Sequence, residues 1–491
     1  MALLLRSFPG GGGGAARCLG GARRLSSGAA EYLEGLVRVN YEGGTDRRDL
    51  GADPDPLGAV KSFLSALDSP QDAYPVVHVV GSKGKGSTSA MLSSILSRSG
   101  LRVGTYTSPH VVSLGERVRI DGRACGETDL LDHFRRHESD ILGVQERTNW
   151  RLSYFEALTG LVLRRFADEE VDLSVVEAGL GGVGDATNVF SPDRLKLVVV
   201  TPLELEHTEV LGDDIRDIAA AKVGVVKPGT PLLVAAQSTR ALENLVAAEG
   251  HEAGCGEIIR TNEACAVGYR EEGEGLERDY VFAVRDNGAR RVTEVRGVVA
   301  PRFVIENFST ALVAARLVAR DLGMDLTEDA IAGALQDHRL PGRFEIILDG
   351  SEGDGEAVVV LDGAHTPQSA KVLSATLEDL FPSRGRSLVL VVAMATDKDA
   401  ASYFRALALC APETVVCTRV STHEGRSGDP ADLAKAARGA GLRALEAESF
   451  DEARSLAKAL AKEAVKKAIV CYTGSFKTVA AARAPTIVDD L

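Results

Sequence analysis

The chain has 491 residues, 45% hydrophobic and 26% charged, with a formal net charge of −14. That length exceeds one ordinary core and fits two or three domains. The acidic balance argues against a nucleic-acid partner, whose footprint is basic, and no apolar run is long enough to cross a bilayer. The seven cysteines (Cys18, Cys125, Cys255, Cys265, Cys410, Cys417 and Cys471) are odd in number and include no C-x-x-C pair, so they read as free thiols rather than disulfides or a zinc site.

Residues 1–30 carry Arg6, Arg17, Arg23 and Arg24 with no acid before Glu31, the composition of an organelle transit peptide. A Gly-rich tail without an address is the plainer alternative. Short apolar strands then alternate with helical patterns, the signature of a parallel sheet flanked by helices. The expected strands are Tyr74–Val80, Leu101–Tyr106, Val171–Ala178, Leu195–Thr201 and Pro231–Ala235, with helices such as Thr88–Ser99, Phe155–Phe166 and Asp214–Lys222 between them. Residues 250–300 break this rhythm with alternating segments (Tyr280–Val284, Arg291–Val295) that predict antiparallel hairpins. A long helix over Glu306–Leu322 and a shorter one ending near Asp337 precede the breaker Leu340-Pro341-Gly342. A second alternating unit follows, with strands at Ala357–Leu361, Ser387–Ala393, Thr414–Arg419 and Ala468–Tyr472 and helices at Pro367–Leu380, Lys398–Leu409, Pro430–Ala440 and Asp451–Lys467. Two α/β domains are expected, 31–340 and a smaller 341–491, with a two-substrate cleft between them.

The strongest local signal is Gly81-Ser-Lys-Gly84-Lys85-Gly86-Ser87-Thr88, placed after a strand and opening a helix. Glycines let backbone N–H groups wrap phosphate oxygens at a helix start, and Lys85 would neutralise the β and γ phosphates. The strict Walker pattern fails, because Val79 stands where its first glycine belongs. Residues at the carboxyl ends of parallel strands line the site of such sheets. Ser108 (in Thr107-Ser108-Pro109-His110), Glu177 and His207 fall there, Ser108 and Glu177 as candidate Mg²⁺ ligands and His207 as either a ligand or a structural group. Lys222 near a helix end has the plain alternative of a dipole contact. Gly179-x-Gly181-x-x-Gly184 matches the dinucleotide fingerprint, with Glu204 about twenty residues on. The residues after Gly184 do not continue as a helix, which such a fingerprint requires, so an NAD(P) oxidoreductase is the remote reading. A non-catalytic nucleotide-binding protein is a second one.

Taken together, these motifs resemble the Mur ligase superfamily, and within it the folate branch of dihydrofolate and folylpolyglutamate synthases. The resemblance runs from residue 31 to about 482. It rests on Gly84-Lys85-Gly86-Ser87, Thr107-Ser108-Pro109-His110, Ser153-Tyr154-Phe155-Glu156, Asp185-Ala-Thr-Asn188, Glu206-His207, Lys222-x-Gly224-x-x-Lys227-Pro-Gly229, Asn307, Leu340-Pro-Gly-Arg343-Phe-Glu345, Asp362-Gly-Ala-His365-Thr-Pro367, Asp397-Lys398-Asp399 and Thr473-Gly-Ser-Phe476 in order. It implies an N-terminal P-loop-type nucleotide-binding domain and a Rossmann-like C-terminal domain. Gly84, Lys85, Gly86, Ser87, Asn307, Arg343, Asp362 and His365 would contact ATP. Ser108, Glu177 and His207 would hold Mg²⁺, and Lys222, if carbamylated, a second ion; a monovalent cation such as K⁺ is a further possible cofactor. Lys85, His207 and Lys222 would be the catalytic group. Asp49, Leu50, Gly51, Phe155, Glu156 and Asp185 would bind the pterin substrate. The chain departs from the family's usual pattern at Val183-Gly184, at Phe303-Val304, at Glu206 and in the Ala-Asp-Pro-Asp-Pro segment after Gly51.

The implied reaction is ATP-dependent ligation of L-glutamate to a pterin carboxylate through an acyl phosphate. Thr107, Phe155-Glu156 and Asp185-Ala-Thr-Asn188 are more similar to the dihydrofolate synthases and the bacterial bifunctional enzymes, which favours dihydropteroate as acceptor, with a folylpolyglutamate synthase acting on tetrahydrofolate, or a bifunctional enzyme, as the alternative. A monomer with small-molecule partners only is expected, in the mitochondrial matrix, with chloroplast or cytoplasm as alternatives.

Overall fold

The computed structural model describes residues 28–38, 55–148, 152–271, 277–286, 288–348, 357–420 and 427–483. Residues 1–27 of the expected leader, and Asp49, Leu50 and Gly51 of the expected substrate loop, lie outside the described residues. The described body starts inside the expected leader: Ala29 is fully buried, opens the helix Ala29–Arg38, and donates its N–H to Glu127 at 2.7 Å.

The first sheet has eight strands: β1 Val76–Val80, β2 Val103–Tyr106, β3 Val118–Ile120, β4 Arg123–Ala124, β5 Leu173–Glu177, β6 Leu195–Val200, β7 Leu232–Val234 and β8 Ile258–Arg260. Their order is β4-β3-β2-β5-β1-β6-β7-β8, parallel except for the β3–β4 hairpin at one edge. A strand covered on both faces is mostly apolar, and β1 (Val-Val-His-Val-Val) is buried throughout, its one polar residue, His78, being paired with the Thr187 hydroxyl. On one face Val77, Val79 and Val175 meet Met91, Leu92 and Ile95 of the helix Lys85–Arg98 and Phe308 and Ala311 of the helix Arg302–Leu322. On the other, Val76, Val80 and Val176 meet Phe63, Leu158 and Leu161.

The irregular stretch before the long helix forms an antiparallel sheet of β9 Cys265–Glu271, β10 Arg278–Asp286 and β11 Ala289–Val298, ordered β11-β10-β9. It packs on the long helix through Phe282, whose ring lies 4.9 Å from that of Phe308. The last sheet comprises β12 Glu345–Leu348, β13 Val358–Leu361, β14 Arg386–Val392, β15 Thr414–Cys417, β16 Ala444–Glu446 and β17 Lys467–Thr473, ordered β12-β13-β17-β14-β15-β16. Only β12 runs antiparallel there. Among the described residues no helix is long and apolar enough to cross a membrane, and the six described cysteines are free.

Candidate active site

The loops that leave β1, β2, β5 and β6 at their carboxyl ends gather around one point. The β1 loop closes at Gly84, which caps the helix Lys85–Arg98 with φ +81°, in the left-handed region. A Cβ there would stand 2.4 Å from the Asn307 Oδ1, so glycine is required on two counts and Asn307 is locked onto the loop. Ser87 is buried in the first turn of that helix. A Cβ on Gly86 would lie 3.3 Å from Glu177 Oε2, which puts the helix start directly beside the end of β5. Glu177 Oε2 in turn accepts the Ser108 N–H at 2.9 Å, tying the β5 end to the loop after β2.

Two lysines converge on this loop. Lys85 Nζ and Lys222 Nζ each donate to the Gly81 carbonyl oxygen at 2.9 Å. Lys222 also donates to Glu206 Oε1 at 3.1 Å, and Lys83 lies 4.0 Å from the other oxygen of the same carboxylate. Burial lowers the pKa of Lys222, Lys85 pushes the same way, and Glu206 partly offsets both. Burial opposes ionisation of Glu206, but Lys222 and Lys85 outweigh it and hold the carboxyl below its usual range. Glu177 is the opposite case: burial raises it, against Lys85, the Ser108 N–H, Arg343 and Arg117.

The C-terminal domain faces this cluster. Arg343 lays its guanidinium over the Phe476 ring at 4.1 Å, and its charge acts on both Glu177 and Asp362. Asp362 accepts the Phe344 N–H at 2.8 Å and the Ala364 N–H at 2.9 Å. Burial raises its pKa to about 6 despite those bonds and Arg343. His365 places Nδ1 2.8 Å from the Gly363 carbonyl, so Nδ1 carries the hydrogen and Nε2 the lone pair. Burial lowers its pKa, and Lys398, Lys83 and Arg343 add to the effect. Lys83 comes from the phosphate loop, so His365 and that loop share one electrostatic environment.

A cavity of about 320 Å³ opens beside this cluster, lined by Pro56, Ser153, Phe155, Glu156, Leu180, Gly184, Asp185 and Ala186. The Phe155 ring stacks on Tyr106, centroids 6.0 Å apart, and so continues the end of β2. A Cβ on Gly179 would sit 2.5 Å from the Phe155 ring, so this glycine serves a close packing contact. Val183 N–H donates to the Ala221 carbonyl at 2.9 Å, docking the glycine-rich loop on the helix Ile215–Val223 that carries Lys222. No helix follows Gly184 before β6, as a dinucleotide fingerprint would require; Gly179 has a packing explanation instead, and Gly181 a left-handed φ of +74°.

Three expected site residues have partners or positions that their sequence motifs do not show. Asp185 spends its oxygens on the Leu180 N–H (2.7 Å), the Thr187 N–H (3.0 Å) and the Thr187 hydroxyl. Glu156 accepts the Ser153 N–H at 2.7 Å in a capping box. Both line the cavity, yet in this structure they hold its walls. His207 is exposed, with φ +51° at the start of the short helix Thr208–Leu211, and no hydrogen bond joins it to Ser108 or Glu177. Phe476, which the sequence offered only as part of a motif, is central: it carries Arg343, and a Cβ on Gly363 would stand 2.3 Å from its ring. Lys83 was missed as well, because a loop lysine with no partner in sequence reads as solvated.

The donor types fit Mg²⁺ as the resemblance implies it: the Ser108 hydroxyl and the buried carboxylate of Glu177 are hard oxygen donors on two residues joined by the Ser108 N–H.

A glycine-rich loop at the head of a parallel sheet, faced by a second α/β domain, is the arrangement that the resemblance to the ATP-dependent ligases of the Mur type implies. The model described as Mur ligase, glutamate ligase domain, matches residues 342–476. The dihydrofolate synthase/folylpolyglutamate synthase of Escherichia coli K12 is 31% identical over 458 residues, 91% of this chain and 92% of its own. The chain therefore belongs to the dihydrofolate synthase/folylpolyglutamate synthase family, the folate branch of the Mur ligases. A probable bifunctional folylpolyglutamate synthase/dihydropteroate synthase of Halobacterium salinarum is 33% identical over 441 residues; the chain spans half of its length. The solved structure of E. coli FolC in complex with DHPP and ADP is similar at a TM-score of 0.74 and 27% identity, over 95% of this chain and 99% of the other.

Proposed function

We propose that the protein joins L-glutamate to 7,8-dihydropteroate through an acyl phosphate, forming dihydrofolate, ADP and phosphate. The observation that carries this reading is the adjacency of the Phe155–Leu180–Asp185 cavity to the Glu177–Ser108 pair and the phosphate loop. A flat aromatic acid held on Phe155 reaches toward the loop with its carboxylate end. Its oxygen attacks the γ-phosphorus, the bond to the β–γ bridging oxygen breaks, and ADP leaves. Lys85 moves from the Gly81 carbonyl to the phosphates and offsets their charge. Ser108 and Glu177, joined by His207 if it turns in from its exposed position, would hold Mg²⁺, which would supply further charge neutralisation when bound. Glutamate's amine then attacks the acyl carbon and phosphate departs. Arg343, Asp362 and His365, closing from the second domain, exclude the water that would hydrolyse the acyl phosphate.

Lys222 is the proposed carbamylation site. Burial and Lys85 favour its neutral amine, the form that reacts with CO₂. A carbamate there would face Glu206 at like charge, which a cation between them reconciles. Addition of glutamate to tetrahydrofolate is a second reading, supported by the paired activities in the name of the E. coli relative. The arginine-rich, acid-free composition of residues 1–30 supports a mitochondrial address, testable by fusing them to a fluorescent reporter. The acceptor is decided by supplying Mg·ATP and glutamate with either dihydropteroate or tetrahydrofolate and reading ADP and product mass. Dihydrofolate from dihydropteroate alone establishes the synthase. Product from tetrahydrofolate alone overturns it in favour of the polyglutamate reading.

A further inference from the structure

One side-chain cluster lies well away from the cleft and takes no part in the chemistry above. A nitrogen of His133, a nitrogen of His137 and a carboxylate oxygen of Asp168 all lie within 4.8 Å of one another. His133 sits in the helix Glu127–Arg136, His137 caps that helix, and Asp168 ends the helix Tyr154–Asp168. The i, i+4 spacing stacks the two rings at the helix end, 5.1 Å apart at 68°.

Each group is already oriented by a neighbour. Fully buried His133 places Nε2 2.8 Å from the Leu161 carbonyl, so that nitrogen carries the hydrogen and Nδ1 holds the lone pair, which the Arg136 Nη2 approaches at 3.4 Å. Nδ1 faces Asp168 Oδ2 at 3.8 Å. Arg164 holds the other oxygen, Oδ1, through its Nε at 2.8 Å, leaving Oδ2 toward the histidine. His137 Nδ1 donates to Asp140 at 2.9 Å, which leaves Nε2 as its lone-pair nitrogen. Bound metal ions find histidines in this state, with the far nitrogen tied to a carbonyl or carboxylate that fixes tautomer and ring orientation. Burial holds His133 neutral, its pKa lowered to about 4.

We propose that His133, His137 and Asp168 form a site for a divalent ion of the zinc class, which clamps the end of the Glu127–Arg136 helix to the end of Tyr154–Asp168. Two imidazoles and one carboxylate suit such an ion, with a water completing four-coordination. Tetrahedral zinc separates its ligand atoms by roughly 3.3 Å, so the His133–Asp168 gap of 3.8 Å needs a small closure, and the His137 nitrogen, within 4.8 Å of both, must close by up to about 1.5 Å. The one group in the way is Arg136, whose Nη2 lies 3.4 Å from His133 Nδ1; that residue is exposed and free to swing out. Arg165 is directed to Glu169 at 2.6 Å. The helix pinned at Asp168 starts at Tyr154-Phe155-Glu156, the cavity wall, roughly 20 Å away along its axis, so the ion would act on structure rather than on reacting atoms.

The test titrates the metal-stripped, nucleotide-free full chain with Co²⁺, then with competing Zn²⁺, beside His137→Asn and Asp168→Asn. Both replaced side chains are partly exposed, and folding is checked by the thermal midpoint in chelator. The expected result is one Co²⁺ per chain with visible ligand-field bands, displaced by Zn²⁺, and at least tenfold weaker binding in each variant. Bands equally strong in the variants, or no tight ion in the parent, would overturn the site and leave a hydrogen-bonded histidine pair.

Discussion

Replacing Gly179 by alanine separates a pterin wall from a dinucleotide loop. Its φ is not in the left-handed region, so alanine meets no backbone penalty and the effect is steric. The new methyl would stand 2.5 Å from the Phe155 ring and 3.1 Å from Asp185 Oδ2, against an ordinary carbon–carbon contact of about 3.5–4.0 Å. Phe155 must retreat by about 1 Å, into Tyr106 or into the cavity. Overpacking of this size costs about 1–3 kcal/mol, which is roughly five- to 150-fold in affinity if it falls wholly on the bound state. The account predicts that the KM for the pterin acid rises within that range while the KM for ATP moves less than about twofold. A second change, Phe155→Leu, should recover part of the loss by vacating the space. Unchanged pterin kinetics, or a loss confined to ATP, would refute the assignment of this wall.

Other consequences follow from the same geometry. Lys85→Ala should lower turnover by at least about a hundred- to a thousandfold with the fold intact, read as ADP release and thermal midpoint. If Lys222 is carbamylated, activity should fall in CO₂-free buffer at fixed pH and return on adding bicarbonate; activity indifferent to bicarbonate removes the modification. His78 is buried, places Nε2 2.9 Å from the Thr187 hydroxyl that bonds Asp185, and burial followed by Lys227 lowers its pKa to about 3. The unfolded histidine protonates near 6.5 and the folded one does not, so stability is lost as pH falls from about 6.5 toward 3. The pH dependence of the thermal midpoint should flatten in His78→Gln, by on the order of 1–3 kcal/mol across that window.

Much of this was legible in the sequence for a physical reason. Strands buried on both faces are mostly apolar, so the β-branched and leucine runs of β1, β5, β6, β14 and β17 announce themselves. Polar or short edge elements do not: β12 (Glu-Ile-Ile-Leu), β16 and the β3–β4 hairpin gave no signal above the surrounding loops. In the site, residues fixed by local chain geometry were readable. Gly84, Lys85, Ser108 and Glu177 all sit where strands end. Residues whose role depends on distant partners were not. Asp185 lines the cavity, but that Leu180 and Thr187 also engage its oxygens is visible only in the fold. Lys222 and Lys85 share the Gly81 oxygen across a gap of 137 positions that no spacing rule spans. The Gly179–Gly184 pattern misleads because Gly179 answers to close packing against Phe155 and Gly181 to a left-handed φ, and neither demand involves a phosphate.

The central claim is that a carboxylate is activated by direct phosphoryl transfer. Dihydropteroate labelled with heavy oxygen in its carboxylate, supplied with Mg·ATP and glutamate, tests this in one turnover. The account predicts one labelled oxygen in the released phosphate, carried there by the bond that joined acid to phosphorus. Phosphate free of label, alongside product, would contradict the acyl phosphate and the site built around it.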